Sequence, residues 1–309
     1  MPRDSTAHTA LTAITAVGAV GVGAAVWGIG IERHLYTVRR HELRVLPHGS
    51  DPVRVLHISD AHMAPWQHRK QRWIAGLAQL KPDVIVNTGD NIGHVDGLQG
   101  IRTAFAPFRG IPGVFVHGSN DHVAPAPRNP FKYFLGPSEH VPQAQNMDVA
   151  VLDAFLTDEL GWTSLNNTAA TLSVAGLRLD AFGVSDAHRE WDRLEDLPAA
   201  IDALGAGADL RWGVTHAPYR RVLDRFTDLG ADVLFGGHTH GGQVRIPFSP
   251  SALVANCDIP LDQARGLSTW THGGRTVPLN VSAGIGHSIY APVRFGCRPE
   301  ASLVTLLSR

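Results

Sequence analysis

Two histidines, His238 and His240, stand two residues apart in the stretch ADVLFGGHTHGGQV, with a pair of glycines on either side. The apolar run Ala231–Phe235 before them is typical of a buried strand in an α/β sheet. Side chains at positions i and i+2 of an extended segment point the same way. The two imidazoles are therefore expected to converge just beyond the strand end, where open α/β sheets place their ligands. Taken alone, the motif fits equally well a glycine-rich turn whose histidines face water.

Four other β-type runs of the sequence also end in side chains that can bind a metal ion. Asp90 alone is a typical turn former or helix cap, and His216 alone is typical of a buried, hydrogen-bonded histidine. Their coincidence at five strand ends favours a shared site instead. The groups concerned are Asp60 and His62 after VLHIS, Asp90 after VIVNTG, Asn120, Asp121 and His122 after VFVHG, and His216 after WGVT.

The chemistry of these donors indicates which ions they would hold. Imidazole, carboxylate and amide groups without thiolates suit Mn²⁺, Fe or Zn²⁺. Seven of these donors are too many for one ion, and they fit two ions that share one bridging carboxylate: Asp60, His62, Asp90, Asn120, His216, His238 and His240. Asp90 is the natural bridge. We therefore predict a pair of divalent transition-metal ions at the ends of the strands.

The ordered motifs DAH, GD, GSND, H and GGHTHGGQ resemble those of the calcineurin-like metallophosphoesterases, over about residues 53–307. The ending VSAGIGHSIYAPVRFGCRPEASLVTL and the apolar N-terminal stretch look like the bacterial membrane-associated branch of that family. The resemblance implies a four-layer αββα sandwich of two mixed sheets flanked by helices. It also implies one metal ion held by Asp60, His62, Asp90 and His240, and a second held by Asp90, Asn120, His216 and His238.

The function implied by the resemblance is hydrolysis of a phosphomonoester or phosphodiester by direct attack of a metal-bridging hydroxide. The catalytic candidates are then Asp90, Asn120, Asp121 and His122. A catalytically inactive metal-binding scaffold of the same fold is the alternative. Arg294 and His287 are candidates to touch the substrate phosphate, Arg294 as a phosphate-binding residue, but we slightly favour ordinary surface positions for both.

The third motif departs from the family pattern, which reads Gly-Asn-His-Asp. This chain has Gly118, Ser119, Asn120 and Asp121, followed by His122. Strict alignment puts Ser119 at the ligand position, but an amide oxygen is the better neutral ligand, so we favour Asn120. His122 is then a candidate general acid displaced from its usual place, and the alternative is that no histidine acts there.

The elements that must position these groups are those of an α/β domain. Apolar β-type runs alternate with helical stretches at residues 67–80, 97–108, 147–161 and 219–230, which indicates βαβ units. The run TLSVAGLRLDAFGV predicts a hairpin about an Ala-Gly turn, and two late β-type runs, RTVPLNVSAG and ASLVTLLSR, follow. Residues 125–142 are expected to form a loop over the site.

Composition narrows the class of partner. The 309-residue chain has a formal net charge of −1 and no long run of like charge, so we expect no nucleic-acid partner. Only two cysteines, Cys257 and Cys297, are present. They exclude a disulfide-rich scaffold and a four-thiolate metal site, and they leave one disulfide open.

The N-terminal region has a different character from the rest. No residue from Ala10 to Ile31 is charged, and about twenty such residues suffice to span a bilayer as a helix. We predict a tail at 1–9, a single-pass transmembrane anchor at 10–31, a connecting segment at 32–50 and the phosphoesterase domain at 51–309. A cleaved signal peptide and a buried apolar helix are the alternatives. Arginines after the span favour a cytoplasmic domain, and a lipid-linked phosphoester is one candidate substrate.

Overall fold

The computed structural model describes residues 15–16, 18–127 and 145–309. Within them the chain forms two six-stranded sheets. The strands are β1 (Thr37–Leu46), β2 (Val53–Ile58), β3 (Val84–Asn87), β4 (Gly113–Phe115), β5 (Thr163–Ser164), β6 (Thr168–Val174), β7 (Leu177–Gly183), β8 (Leu210–Val214), β9 (Val233–Gly236), β10 (Gly266–His272), β11 (Arg275–Val281) and β12 (Glu300–Ser308).

Both sheets are mixed, with a parallel centre. The first has the order β1-β12-β2-β3-β4-β5, in which β2 to β5 run parallel and β12 is antiparallel to β2. The second has the order β10-β11-β9-β8-β7-β6, in which β7, β8, β9 and β11 run parallel. The predicted α/β fold with two mixed sheets flanked by helices is therefore confirmed.

Each of the four predicted helical stretches contains a helix, with shorter bounds. The α-helices include His68–Gly76, Leu98–Phe105, Ser119–His122, Val149–Ala154, Leu197–Ala203 and Arg220–Asp228, of which Ser119–His122 and Leu197–Ala203 were not predicted. Several predicted helical stretches continue as a tighter or wider turn, such as the 3₁₀ segment Leu77–Leu80 and the π segment Phe155–Glu159. The predicted hairpin is β6–β7, which turns through Ala175 and Gly176 at positive φ.

Three apolar cores hold the layers together. The two sheets face each other through β-branched side chains of the first sheet and larger residues of the second, among them Val86, Val114, Trp212 and Phe235. A second core packs helices onto the outer face of the first sheet, and a third packs helix Arg220–Asp228 onto the second sheet. Burial on both faces explains why the central strands are continuous apolar runs.

The segment predicted to connect the N-terminus to the domain forms part of the first sheet. Strand β1 lies in residues 32–50 and pairs in parallel with β12 along its whole length. Arg39 of β1 forms an ion pair with the buried Glu300 of β12, with Nε 3.0 Å from Oε2.

The predicted transmembrane helix is not supported by the part of the chain that the structure describes. In those residues no helix is both long enough and apolar enough to cross a bilayer. Residues 10–14 and 17 of the predicted span lie outside them, as does most of the loop predicted at 125–142.

Candidate metal centre

The two sheets bring the carboxyl ends of four parallel strands to one edge of the molecule. Asp60 and His62 follow β2, and Asp90 follows β3. From the second sheet, His216 follows β8, and His238 and His240 follow β9. All six side chains are buried except that of His240, which is partly exposed.

Five of these residues have a backbone that L-amino acids avoid. Asp60, His62, Asp90, His238 and His240 have φ angles of 49°, 39°, 53°, 64° and 49°. Each such conformation costs about 1–3 kcal/mol and persists only when its surroundings impose it, which is why it clusters at functional sites. The extended segment predicted for His238 and His240 is therefore wrong, and a tight turn aims the two rings at different partners.

The first group of donors surrounds the Asp60 carboxylate. The Nε2 atoms of His62 and His240 are 3.1 Å apart, and Nε2 of His240 is 3.6 Å from Oδ1 of Asp60. That oxygen is buried and has no hydrogen-bond partner among the residues that the structure describes, whereas Oδ2 accepts from the hydroxyl of Ser59 and the amide of His238. An orphaned buried carboxylate oxygen facing two imidazole nitrogens fits a bound cation.

The second group gathers around His216. Its Nε2 lies 3.6 Å from Oδ2 of Asp90 and 3.3 Å from Nδ1 of His238. Nδ1 of His216 lies 2.7 Å from the carbonyl of Thr88, and Nε2 of His238 lies 3.0 Å from that of Asn256. Donating one ring nitrogen to a carbonyl leaves the other free to bind a metal, as is usual for metal-binding histidines.

Asp90 connects the two groups. Its Oδ2 is 3.4 Å from Nε2 of His62 and 3.6 Å from Nε2 of His216. Asp60 also lies within reach of both, since its carboxylate falls within 4.8 Å of His62 and His240 and, separately, of Asp90 and His216. The chemistry of this donor set therefore fits two cations side by side.

The charges in the site favour a cation. Burial would lower the pKa of His216, but the carboxylates of Asp90, Asp186 and Asp60 outweigh it and raise that pKa to about 9. Burial raises the pKa of Asp60 to about 6, with Asp90 adding to the effect. Carboxylates crowded in a buried site are stabilised by any positive charge that enters.

The third motif is tied to Asp90 through Asn120 and Asp121. Nδ2 of Asn120 lies 2.6 Å from Oδ2 of Asp90, and exchanging the amide oxygen and nitrogen would bring Oδ1 to the same place. Asp121 accepts from the backbone amides of Asp90, Asn91, Ile92 and Gly118, so it positions the loop. The amide of Ser119 donates to Asp186 instead.

Glycines stand in the third motif and before His238, where the backbone passes close to the donor side chains. A Cβ atom on Gly118 would collide with the carboxylate of Asp90, and one on Gly237 would collide with the hydroxyl of Ser59. Gly237, directly before His238, therefore leaves room for Ser59 and the carboxylate of Asp60.

His122, the candidate acid, lies half-buried between two rings. Its centroid is 5.3 Å from that of His117 and 5.0 Å from that of Trp191, both edge to face. Burial and the charge of His117 lower the pKa of His122. His122 follows Asn120 by two residues and is partly exposed.

Sequence reasoning missed a second Asp-Ala-His triplet, Asp186 to His188. Asp186 is buried beside Ser119, and the ring of His188 lies 4.4 Å from that of His238. The signal was present, because the letters DAH repeat those at residues 60–62. It follows LRLDAFGV, the run assigned to the predicted hairpin, so the strand-end rule was not applied to it.

Arg294 and His287 are buried, so the surface interpretation of these two residues is wrong. The guanidinium of Arg294 donates to the carbonyl of His240 at 2.9 Å, approaches its Nδ1 at 3.1 Å and reaches the carbonyl of Gly286. These contacts hold His240 in place. Cys257 and Cys297 are both free thiols, so the disulfide left open by the sequence does not form.

An ion pair beneath the third motif, between buried His117 and partly exposed Asp153, gives a pH-dependent prediction. Burial opposes the charge of His117, but hydrogen bonds with Asp121 and Asp153 raise its pKa from 6.5 to about 9. The ion pair stabilises the folded state fully at a pH below the pKa of His117 in the unfolded chain. This stabilisation disappears as the pH rises through the pKa of His117 in the folded chain. Asp153→Asn should lower the free energy of unfolding by about 1–2 kcal/mol at neutral pH, and much less above about pH 10.

Urea unfolding of both proteins at a fixed metal concentration, from about pH 6 to about pH 10, measures that difference. Asp158→Asn, on the exposed face of the following turn, is the matched control and should change little. If Asp153→Asn and the unchanged protein remain separated by the same free energy across the range, His117 does not carry the charge assigned to it.

Comparisons with known proteins agree with this geometry. Residues 53–242 match the model of the calcineurin-like phosphoesterase family. The uncharacterized metallophosphoesterase YkuE of Bacillus subtilis is 24% identical over 289 residues, which cover 90% of this chain and 88% of YkuE. The phosphodiesterase YaeI of Escherichia coli is 23% identical over 279 residues, which cover 87% of each protein.

A solved structure, the 5'-nucleotidase precursor of Thermus thermophilus, aligns with a TM-score of 0.47 and 14% identity. The alignment covers 82% of this chain and 55% of the nucleotidase, so the chain spans about half the length of that protein. The family match covers more than half of the chain, and the chain therefore belongs to the calcineurin-like phosphoesterases. It is a metallophosphoesterase, a hydrolase that acts on phosphoester bonds.

Proposed function

We propose that the chain hydrolyses a phosphodiester or phosphomonoester with two divalent transition-metal ions, Mn, Fe or Zn. Asp60, His62, Asp90 and His240 would hold one ion, and Asp90, Asn120, His216 and His238 the other. The observation that carries this proposal is the position of Asp90, whose Oδ2 lies between His62 and His216. A shared carboxylate is what a two-metal site requires.

Two bound ions supply an activated water molecule and neutralise charge on the phosphoryl oxygens. The residues of the chain prepare that chemistry. Asp121 fixes the backbone on which Asp90 stands, and Arg294 fixes the ring of His240. His122 would hold a proton for the leaving oxygen, since it is the imidazole next to Asn120 and is half-buried.

The similarity to YaeI, a phosphodiesterase, supports a diester substrate for this chain. The test is hydrolysis of bis-nitrophenyl phosphate and nitrophenyl phosphate by the full chain, first stripped of metal and then supplied with Mn²⁺. We expect metal to restore turnover, with the diester hydrolysed faster. The alternative, a scaffold that binds metal without turnover, predicts metal binding and no hydrolysis of either ester or of a wider panel of nucleotides and phospholipids.

We also propose that the uncharged segment from Ala10 to Ile31 attaches the domain to a lipid membrane, so that a lipid-linked phosphoester is within reach. The arginines that follow it favour a cytoplasmic domain. The segment would be held by apolar burial, which neither salt nor alkali weakens.

The full-length chain is therefore expected to stay in the membrane fraction after washing with high salt and then alkali. Immunoblotting of washed membranes, together with N-terminal sequencing, measures this. Complete release of the intact chain, or an N-terminus cleaved near residue 30, would contradict the attachment.

A further inference from the structure

The loop that follows the metal-binding turn presents large apolar side chains to solvent. From Gly241 to Cys257 the sequence GGQVRIPFSPSALVANC has one charged residue, Arg245. Ile246 is 59% exposed and Phe248 is fully exposed, and Val244 and Leu253 are also exposed. Monomeric proteins seldom gather such side chains on one loop unless something covers them.

The loop is built to hold these side chains outward. Arg245 is buried inside it and donates to the carbonyls of Gly241, at 2.9 Å, and Pro250. Phe248 has a φ of 66°, a conformation that a bulky residue adopts only when its surroundings impose it. The loop therefore constrains the backbone at Phe248 while the phenyl ring stays exposed.

The loop lies beside the end of the apolar N-terminal segment. Val244 forms a β-bridge with Phe295, and the amide of Arg294 donates to the carbonyl of Gly28 at 3.1 Å. The carboxylate of Glu32 accepts from the amides of Gly296 and Cys297 at 3.0 and 2.8 Å. Residues 293–297 therefore join the two apolar stretches.

Both stretches are exposed where they meet this joint. Val26, Ile29 and Ile31 of the N-terminal segment are exposed in the same way as Ile246 and Phe248. The uncharged sequence continues back to Ala10. The surface is apolar on both sides of residues 293–297, and an uncharged sequence adjoins it. Such a surface is complementary to a lipid bilayer.

Positive charge gathers where the apolar segment ends. Burial and the charges of Arg33 and Arg69 lower the pKa of His34, so these two cations lie near that residue, and Arg69 is exposed. Lys70 also acts on His34, but it is buried and its ammonium donates to the carbonyls of Ala61 and His62. Basic side chains beside an apolar surface are complementary to anionic lipid headgroups.

We propose that the loop Val244–Leu253 is a second membrane contact, which inserts Ile246 and Phe248 into the headgroup region and places the metal centre at the lipid surface. This inference rests on the proposed attachment of the N-terminal segment. The loop starts just after His240, and the carbonyl of Asn256 beyond its other end binds His238. A substrate carried on a lipid headgroup would then enter beside the metal ligands.

The test uses the full chain with a nitrobenzoxadiazole label on Phe248→Cys. Cys257→Ser removes the partly exposed native thiol, and Cys297 is buried. The control label is placed on Val151→Cys, an exposed apolar position on helix Val149–Ala154. The protein is reconstituted with vesicles of phosphatidylcholine and phosphatidylglycerol in equal parts, whose acyl chains carry bromine near the headgroup or near the chain end.

We expect the label at 248 to shift to shorter wavelengths and to be quenched more by bromine near the headgroup, since an interfacial contact reaches about 5–10 Å deep. The label at 151 should be quenched by neither lipid. A chain that binds vesicles without quenching at 248 overturns the loop contact and leaves the attachment standing. Failure to bind vesicles overturns both, and neither outcome bears on hydrolysis, which is measured with soluble esters.

A second copy of the chain is the competing occupant of this surface. It predicts that the label at 248 shifts with protein concentration in the absence of lipid, while its emission is insensitive to brominated lipid. That result would overturn the membrane contact.

Discussion

Asp90→Asn should lose at least one of the two bound metal ions and nearly all turnover. Asp90 approaches a histidine of each group, with Oδ2 at 3.4 Å from Nε2 of His62 and 3.6 Å from Nε2 of His216. An amide offers one weak neutral oxygen where a carboxylate offers two charged ones. Mutation of a residue that only hydrogen-bonds to a metal ligand typically lowers metal affinity or activity by about 10–100-fold. Because Asp90 would bind the metal ions directly, we expect turnover to fall by more than about 10²-fold.

Elemental analysis and the rate of diester hydrolysis, measured on the same preparation, check that prediction. Asp180→Asn is the matched control, because Asp180 is a buried carboxylate of β7 that pairs with Arg178 and Thr171 away from the metal centre. It should cost stability and keep both ions. An Asp90→Asn protein with two ions and unchanged turnover would remove Asp90 from the bridging role.

His122→Ala should slow esters with poor leaving groups by about 10²–10⁴-fold, the usual contribution of a general acid, and slow a nitrophenyl ester much less. Nitrophenolate leaves without a proton, so the contrast between the two esters isolates proton transfer. Rates for an alkyl and a nitrophenyl diester are compared, with His272→Ala as the control on the far strand β10. Equal slowing of both esters would mean that His122 is not the acid.

The same pair of substrates settles which residue of the third motif holds the metal. Asn120 faces Asp90, whereas the amide of Ser119 binds Asp186. Asn120→Ala should therefore lower both rates, and added Mn²⁺ should partly restore them, because a metal ion serves every substrate. A metal-dependent loss in Ser119→Ala instead would move the ligand role to Ser119.

The site residues that could be predicted are those that a short local sequence pattern marks. Asp60, Asp90 and His216 each follow an apolar run directly, and parallel strands of one sheet carry their carboxyl ends to the same edge. That rule brings Asp60 and Asp90 together in the first sheet and His216 and His240 in the second. It needed no knowledge of which strands are neighbours.

What could not be predicted depends on contacts between distant segments. The sequence predicts a connecting segment where strand β1 lies, because its partner strand, β12, is at the other end of the chain. Arg294 read as a surface residue because only the fold shows that backbone carbonyls and His240 take its donors. The sequence predicts an extended segment at His238 to His240 because local propensity disfavours positive φ angles there. The neighbouring backbone imposes those angles in the fold.

Anomalous X-ray diffraction from crystals of the full chain soaked in Mn²⁺ tests the two-metal site most directly. The account predicts two peaks about 3.5–4 Å apart, with Asp90 between them. One peak should lie among Asp60, His62 and His240, and the other beside His216 and His238. A single peak under saturating Mn²⁺, or two peaks that do not share Asp90, would contradict it.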